Sequence, residues 1–363
     1  MAAYYATPVS AQPGPRGPRP RRMAYVTDTV MVHDPVMAYE AARPGRNGTA
    51  AGGTYYLLST GNGLQWATSK DRRQWVVQPT PFIEEIPAWT RDSVPGFTQH
   101  VWAPDIIRWH DRWLLAYSCS TFGKNTSAIG LMSADRIDGQ WQDEGCLVCS
   151  KEKRDNWNAI DPAFVIDDQD RLWLAWGSFW DGIQLAQVVC EKKEAASTDS
   201  HAAHRTIQPY TFSLATSNLK TIARRYRPGD PAAPENPTSK FAGRNAIEAP
   251  FILKHGGWYY LFVSWDYCCR GAKSNYRVAV GRSKTVDGLY LDRDGKAMTD
   301  GGGTLFLEGD KQEFEAAGHC AAYDLPSGGT IFICHGYSTR LNGTSILIQQ
   351  EIGWTADGWP TLQ

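Results

Sequence analysis

No run of apolar residues in this 363-residue chain approaches the roughly 20 that a membrane-spanning helix requires, so no membrane partnership is expected. Charge of one sign is lacking too. The 37 Lys and Arg against 38 Asp and Glu leave a formal net charge of −1, and nothing predicts nucleic acid or an anionic surface as a partner. Amphipathic helices are almost missing: beyond a few short runs, apolar residues do not recur at helical spacing. Paired metal-binding cysteines are also missing, because Cys146-Leu-Val-Cys149 has no second pair at finger distance, which argues against zinc. Adjacent Cys268 and Cys269 are expected as two buried thiols, with a strained vicinal disulfide as the alternative. The N-terminal stretch MAAYYATPVSAQPGPRGPRPRR lacks the apolar core of a secretory leader, and residues 1–24 read as a disordered lead-in. Residues 25–363 then form a single domain.

What the chain has in quantity is aromatic side chains, with 15 Trp, 16 Tyr and 12 Phe. Most must fill a core, yet such rings also suit carbohydrate surfaces, where the apolar face of a sugar stacks on an aromatic plane. The rings fall in a repeated pattern of aromatic strand, turn and second strand. Thr54–Ser59 is followed by Leu64–Thr68, Trp113–Ser118 by Ser127–Met132, and Leu172–Trp176 by Ile183–Val188. Trp258–Val263 precedes Tyr276–Val280, and Thr330–Cys334 precedes Ser345–Gln349. Five such units predict an all-β, five-bladed β-propeller with a groove across its central channel; a large β-sandwich is the competitor, but it gives no reason for the starts to resemble one another. The polar, Pro-rich stretch 191–245 interrupts the rhythm and reads as a long insertion between the third and fourth blades.

Three unit starts carry a carboxylate beside a proline: Asp34 in His-Asp-Pro, Asp161 in Ile-Asp-Pro and Glu248 in Glu-Ala-Pro. In a propeller the first strand of each blade lines the channel, so these three acids are expected to converge. Glycosidic hydrolysis needs a carboxylic acid to protonate the departing oxygen and a carboxylate to activate water or attack carbon. A third carboxylate can hold the acid's pKa high by like-charge repulsion. The competing reading is that acid-proline pairs cap turns where strands begin.

The ordered set Val32-His-Asp-Pro35, Trp102-Ala-Pro-Asp-Ile106, Asn158-Ala-Ile-Asp-Pro162, Ser178-Phe-Trp180, Glu248-Ala-Pro-Phe251, Trp265-Asp-Tyr-Cys-Cys-Arg-Gly271, Asn275-Tyr-Arg-Val-Ala-Val-Gly-Arg-Ser283 and Gly318-His319 resembles glycoside hydrolase family 43, and in particular its endo-1,5-α-L-arabinanases. The resemblance covers roughly residues 30–355. It implies cleavage of arabinan with inversion, with Asp34 as general base, Glu248 as general acid and Asp161 tuning and orienting that acid. It further implies that Gly123, Asn158, Ile160, Ser178, Phe179 and Trp180 line the sugar groove, the glycine by letting the backbone approach the sugar. Asp105 matches a mainly structural position. His319 matches an axial histidine that binds a hydrated metal ion, usually calcium, with waters completing the shell of a cation that prefers oxygen. His335 reads as an ordinary core residue.

Residues 237–246 depart from the common family pattern and bear on endo versus exo cleavage, because a blocked groove becomes a pocket for chain ends. The alternatives are therefore an exo-acting α-L-arabinofuranosidase or β-xylosidase on the same scaffold, a sugar-binding propeller without activity and, weakest, a peptide-binding scaffold. A polymeric substrate implies an extracellular or periplasmic monomer. Asn47, Asn125 and Asn342 sit in glycosylation sequons, which matter only in a eukaryotic secretory pathway.

Overall fold

The structure, a computed structural model, describes residues 23–26, 30–42, 52–192, 210–226 and 245–363. Its strands form five antiparallel sheets laid down in chain order. The first, from the inside outward, runs Val36–Ala41, Gly53–Ser59, Gln65–Ser69 and Gln74–Val77, with Met23–Val26 on the outer edge. The second runs His100–Trp109, Arg112–Cys119, Ser127–Ala134 and Gln142–Ser150. The third starts at Ala163–Ile166, Leu172–Trp176 and Ile183–Lys192; the fourth comprises Ile247–His255, Trp258–Trp265, Arg277–Ser283 and Thr304–Glu308. The fifth comprises Phe314–Asp324, Thr330–Ser338, Thr344–Trp354 and Pro360–Leu362. The innermost strands of all five line one cavity of about 420 Å³, so the sheets surround a single axis. This is the five-bladed β-propeller expected. Among the described residues the one α-helix is the five-residue turn Trp89–Ser93.

The middle strands are apolar without alternation because each blade is covered on both faces by its neighbours. Arg112–Cys119 is buried at every position, and Tyr259–Trp265 likewise. The core accordingly lies between blades: one cluster joins blades four, five, one and two, and two smaller ones join two to three and three to four. Within the expected insertion, Tyr210–Leu214 and Lys220–Ala223 both pair with Ile183–Lys192 and so complete the third blade. Residues 193–209 and 227–244, with most of the 237–246 departure, lie outside the described residues.

Every blade begins its inner strand with the same irregularity. Asp34, Ala103, Asp161, Ala249 and His319 have positive φ between 42° and 58°, a region that non-glycine residues seldom occupy. Four of them precede proline, and the ladder slips at the starts of the second, fourth and fifth blades. Such a bulge bends the strand and re-aims its side chains, here at the channel mouth. Five repeated outliers at one level of the molecule point to a functional rim.

Closure uses the same end. Residues 30–32 run beside Thr344–Trp354 of the last blade, with Leu347 N–H donating to Val30 C=O at 2.8 Å, before the chain enters blade one.

Candidate active site

The N–H of each bulge residue is buried and needs an acceptor, and the preceding blade supplies it. Ala103 donates to Thr60 Oγ1 (2.8 Å), Asp161 to Ser118 Oγ (3.0 Å) and His319 to Ser264 Oγ (2.8 Å). Asp34, first in the ring, donates to His335 Nδ1 of the last blade at 3.1 Å. At the fourth blade the pattern changes. Ala249 donates to the Asp161 carboxylate at 3.1 Å, and Ser178, which occupies the hydroxyl position, donates instead to Glu248 Oε2 at 2.7 Å. The backbone ring therefore carries Asp34, Asp161 and Glu248 to one rim, where all three are nearly buried, at 8 %, 7 % and 8 % exposure.

Their surroundings differ. Asp34 Oδ1 lies 3.0 Å from His319 Nδ1 and 3.6 Å from His33 Nε2, and Asp34 Oδ2 accepts the Thr60 hydroxyl at 2.5 Å. Burial alone would raise its pKa, but the charge of His319, followed by His33, holds it well below the usual carboxylate range. His319 responds in kind: burial disfavours its charge, yet Asp34 outweighs that and raises the imidazole to about 9. Asp34 is thus ionised and His319 is protonated at neutral pH.

Glu248 is surrounded by neutral donors. Ser178 bonds one carboxylate oxygen, and the Tyr276 hydroxyl donates to the other at 2.8 Å. Burial raises its pKa more than these two bonds and His319 lower it, and the negative charge of Asp34 adds to the rise. Asp161 is raised well above the usual carboxylate range by burial and then by Glu248 and Asp34, against the pull of His319. Like-charge neighbours in a site of low dielectric cannot all ionise together.

Residues that sequence reasoning passed over complete the rim. His335, expected in the core, is indeed fully buried but touches Asp34. Because Nδ1 accepts the Asp34 N–H and burial drives its pKa well down, the ring is neutral with its proton on Nε2, beside the Tyr337 hydroxyl at 3.3 Å. Its 3.7 Å approach to the Asp34 carboxylate is therefore not an ion pair. His33 stacks on it at 4.1 Å between ring centroids. Cys268 and Cys269 form a vicinal disulfide, not the two thiols expected. Cys269 sits exposed on the rim, 3.5 Å from His33, with its N–H donated to Tyr337 at 2.7 Å. Tertiary placement on this rim, with Cys268 against Tyr276 and Tyr337 and Cys269 exposed, is what the local sequence did not reveal.

The groove residues fall as follows. Asn158 is buried and accepts the Ser127 hydroxyl at 2.7 Å, and Ile160 C=O accepts the Gly177 N–H at 2.9 Å. Phe179 and Trp180 both have positive φ and half-buried rings, with Phe179 against Tyr267 at 5.8 Å. Gly123 lies in an exposed turn where φ of +78° favours glycine, and a Cβ there would meet no protein atom within 4 Å. Asp105 is buried lower in the channel, accepts the Phe164 N–H at 2.6 Å and is raised to about 7 by burial. It lines the 420 Å³ cavity, in keeping with a structural place.

For a metal ion, His319 has the arrangement of a ligating imidazole whose other ring nitrogen is held by a carboxylate. Nδ1 is taken by Asp34, leaving Nε2 for a proton or a cation. Either would compensate the buried negative charge of Asp34, so these residues fit a hydrated cation with one protein nitrogen and water oxygens.

Comparison with known proteins points to one family. The family model described as glycosyl hydrolases family 43 matches residues 34–360. The extracellular exo-α-(1→5)-L-arabinofuranosidase ArbA of Cellvibrio japonicus is 37 % identical over 92 % of this chain and 86 % of its own. The extracellular endo-α-(1→5)-L-arabinanase 1 of Bacillus subtilis is 36 % identical over 91 % and 87 %. The crystal structure of an exo-1,5-α-L-arabinanase from a bovine ruminal metagenomic library superimposes with a TM-score of 0.76 at 42 % identity, covering 92 % of this chain and 97 % of that one. The chain belongs to glycosyl hydrolases family 43.

Proposed function

We propose that this glycoside hydrolase cleaves α-1,5-L-arabinofuranosidic links within arabinan, with inversion at the anomeric carbon. The observation that carries the reading is the opposed protonation of two carboxyl groups on one rim: Asp34 is held ionised and Glu248 is pushed toward its neutral form. Glu248 donates its proton to the departing glycosidic oxygen. Asp34 accepts a proton from the water that attacks the opposite face of the anomeric carbon, and solvent exchange then restores both groups. Asp161 orients the acid by accepting the Ala249 N–H and so fixing the backbone beside it, while the negative charge of Asp34 adds to the rise in the acid's pKa. Phe179 and Trp180 offer ring faces to the sugar, Asn158 and Ile160 shape the wall, and Gly123 lets the backbone approach the sugar.

Calcium fits at His319, held through Nε2 with water oxygens, where a bound cation would add positive charge beside Asp34 and favour its ionised form. The similarity to relatives named as extracellular, together with a polymeric substrate, supports secretion. A single copy carries all three acids, which supports a monomer of one domain.

Exo cleavage is the second reading, favoured by the exo-acting relative and the exo-acting structure among the similar proteins. A time course on linear arabinan separates the two. An endo enzyme releases mixed oligosaccharides with an early fall in viscosity, whereas arabinose as the first product would replace the endo assignment.

A further inference from the structure

The outermost strand of the second blade, Gln142–Ser150, carries a cysteine pair that the rim chemistry does not use. Residues three apart on a regular strand face opposite sides of the sheet. Here the ladder slips: Cys146 pairs with Gly130 and Val148 with Ile129, so Leu147 is an extra residue. The bulge places Cys146 and Cys149 on the same face. Packing agrees, since Leu147 and Val148 join the core between blades two and three, while Cys149 packs into the core shared with blade one. Two rungs of strand separate the pair, about 6.6 Å at the usual rise, within the roughly 4.4–6.8 Å between Cα atoms that a disulfide spans. The two thiols are within hydrogen-bonding reach of each other. Arg154 Nη2 lies 3.8 Å from Cys149 Sγ and donates to its carbonyl at 3.0 Å.

We propose that Cys146 and Cys149 are a redox-active dithiol that closes to a disulfide by exchange with a small-molecule disulfide. The Cys149 thiolate attacks one sulfur of the reagent, forming a mixed disulfide and expelling one thiolate. Cys146 then loses its proton to solvent, attacks the Cys149 sulfur and expels the second thiolate. Two protein thiols are oxidised and one reagent disulfide is reduced. Each group suits its step. The hydrogen bond from Cys146, opposed by burial and aided by Arg154 and Lys151, lowers the Cys149 thiol to about 5. Cys146 is exposed and can reach solvent. Cys119 shares the rung of Cys149 two strands away, but it is fully buried and pushed up to about 12, so it takes no part.

The test treats the full chain with oxidised glutathione and maps peptides by mass spectrometry without reduction. The peptide holding both cysteines is expected to lose two hydrogen atoms, and Cys146→Ser is expected to retain glutathione on Cys149. Iodoacetamide at pH 6 should label Cys149 at least about tenfold faster than Cys146 in the untreated protein. Unchanged turnover of arabinan in Cys146→Ser confirms an intact fold. Free thiols at both positions after treatment, or equal labelling rates at Cys146 and Cys149 in the untreated protein, would overturn the proposal.

Discussion

The starts of the first and fourth blades share a backbone and differ in their partners. Both place a non-glycine residue at positive φ before proline, with its N–H tied to a neighbouring blade. Around Asp34 stand three imidazoles, of which His319 carries charge; around Glu248 stand two hydroxyls, Ser178 and Tyr276. A cation stabilises the ionised acid far more than a neutral donor does once water is excluded. Two carboxyl groups at equal burial therefore divide into base and acid through their neighbours. The motif supplies the position, and the surrounding blades supply the chemistry.

The sharpest way to break this comparison is to neutralise each acid. Asp34→Asn and Glu248→Gln should each lower kcat by at least about 10²- to 10⁴-fold with the fold intact by circular dichroism. They should then part company. An arabino-oligosaccharide with a good aryl leaving group should rescue Glu248→Gln, whose missing proton it no longer needs, and should leave Asp34→Asn impaired. Equal rescue would erase the distinction between the two sites.

A smaller effect concerns the hydroxyls. The bonds from Ser178 and Tyr276 favour the ionised form of Glu248 and lower its pKa. The acid works only while protonated, so activity is present below its pKa and lost as pH rises through it. Ser178→Ala or Tyr276→Phe removes a bond that stabilises the anion, and the alkaline limb of kcat should move up by about one pH unit. A shift downward would mean that these hydroxyls act in some other way.

Smaller again is the contribution of the ring to stability. Ser118→Ala and Ser264→Ala leave the buried N–H groups of Asp161 and His319 without acceptors, and each should cost about 1–3 kcal/mol in urea unfolding. Thr60→Ala removes the partner of Ala103 in the same way, but also frees an oxygen of Asp34. Last, chelation should lower the Tm of the wild-type protein by a few degrees, with recovery on adding calcium, and should leave His319→Ala unchanged. Identical responses in the two proteins would remove His319 from the metal site.

The five blades were legible because their strands are buried on both faces and so read as continuous aromatic runs. The acids were legible because each stands one or two residues before a proline at a blade start. The hydroxyl ring left a trace as well, in Ser59-Thr60, Ser118, Ser178 and Ser264 at the ends of the second strands, but a lone Ser looks like any other until the blades are superposed. Tyr276, His33 and His335 carry no such mark, since only contacts from distant blades distinguish them from core aromatics. Asn125 makes the same point in reverse. Its sequon is intact, yet the side chain is fully buried and donates to the carbonyls of Asp155 and Trp157, so a glycan cannot reach it in the folded protein. Cys268 and Cys269 differ from the expectation because adjacency in sequence does not reveal whether two sulfurs are bonded to each other.

The division of labour between Asp34 and Glu248 is tested most directly by the configuration of the first product. Proton NMR recorded during hydrolysis of a linear α-1,5-arabino-oligosaccharide should show new reducing ends in the β configuration, because the attacking water enters opposite the departing oxygen. New reducing ends that appear first in the α configuration would mean a carboxylate had attacked carbon itself, and would contradict the assignment of Asp34 as a base acting through water.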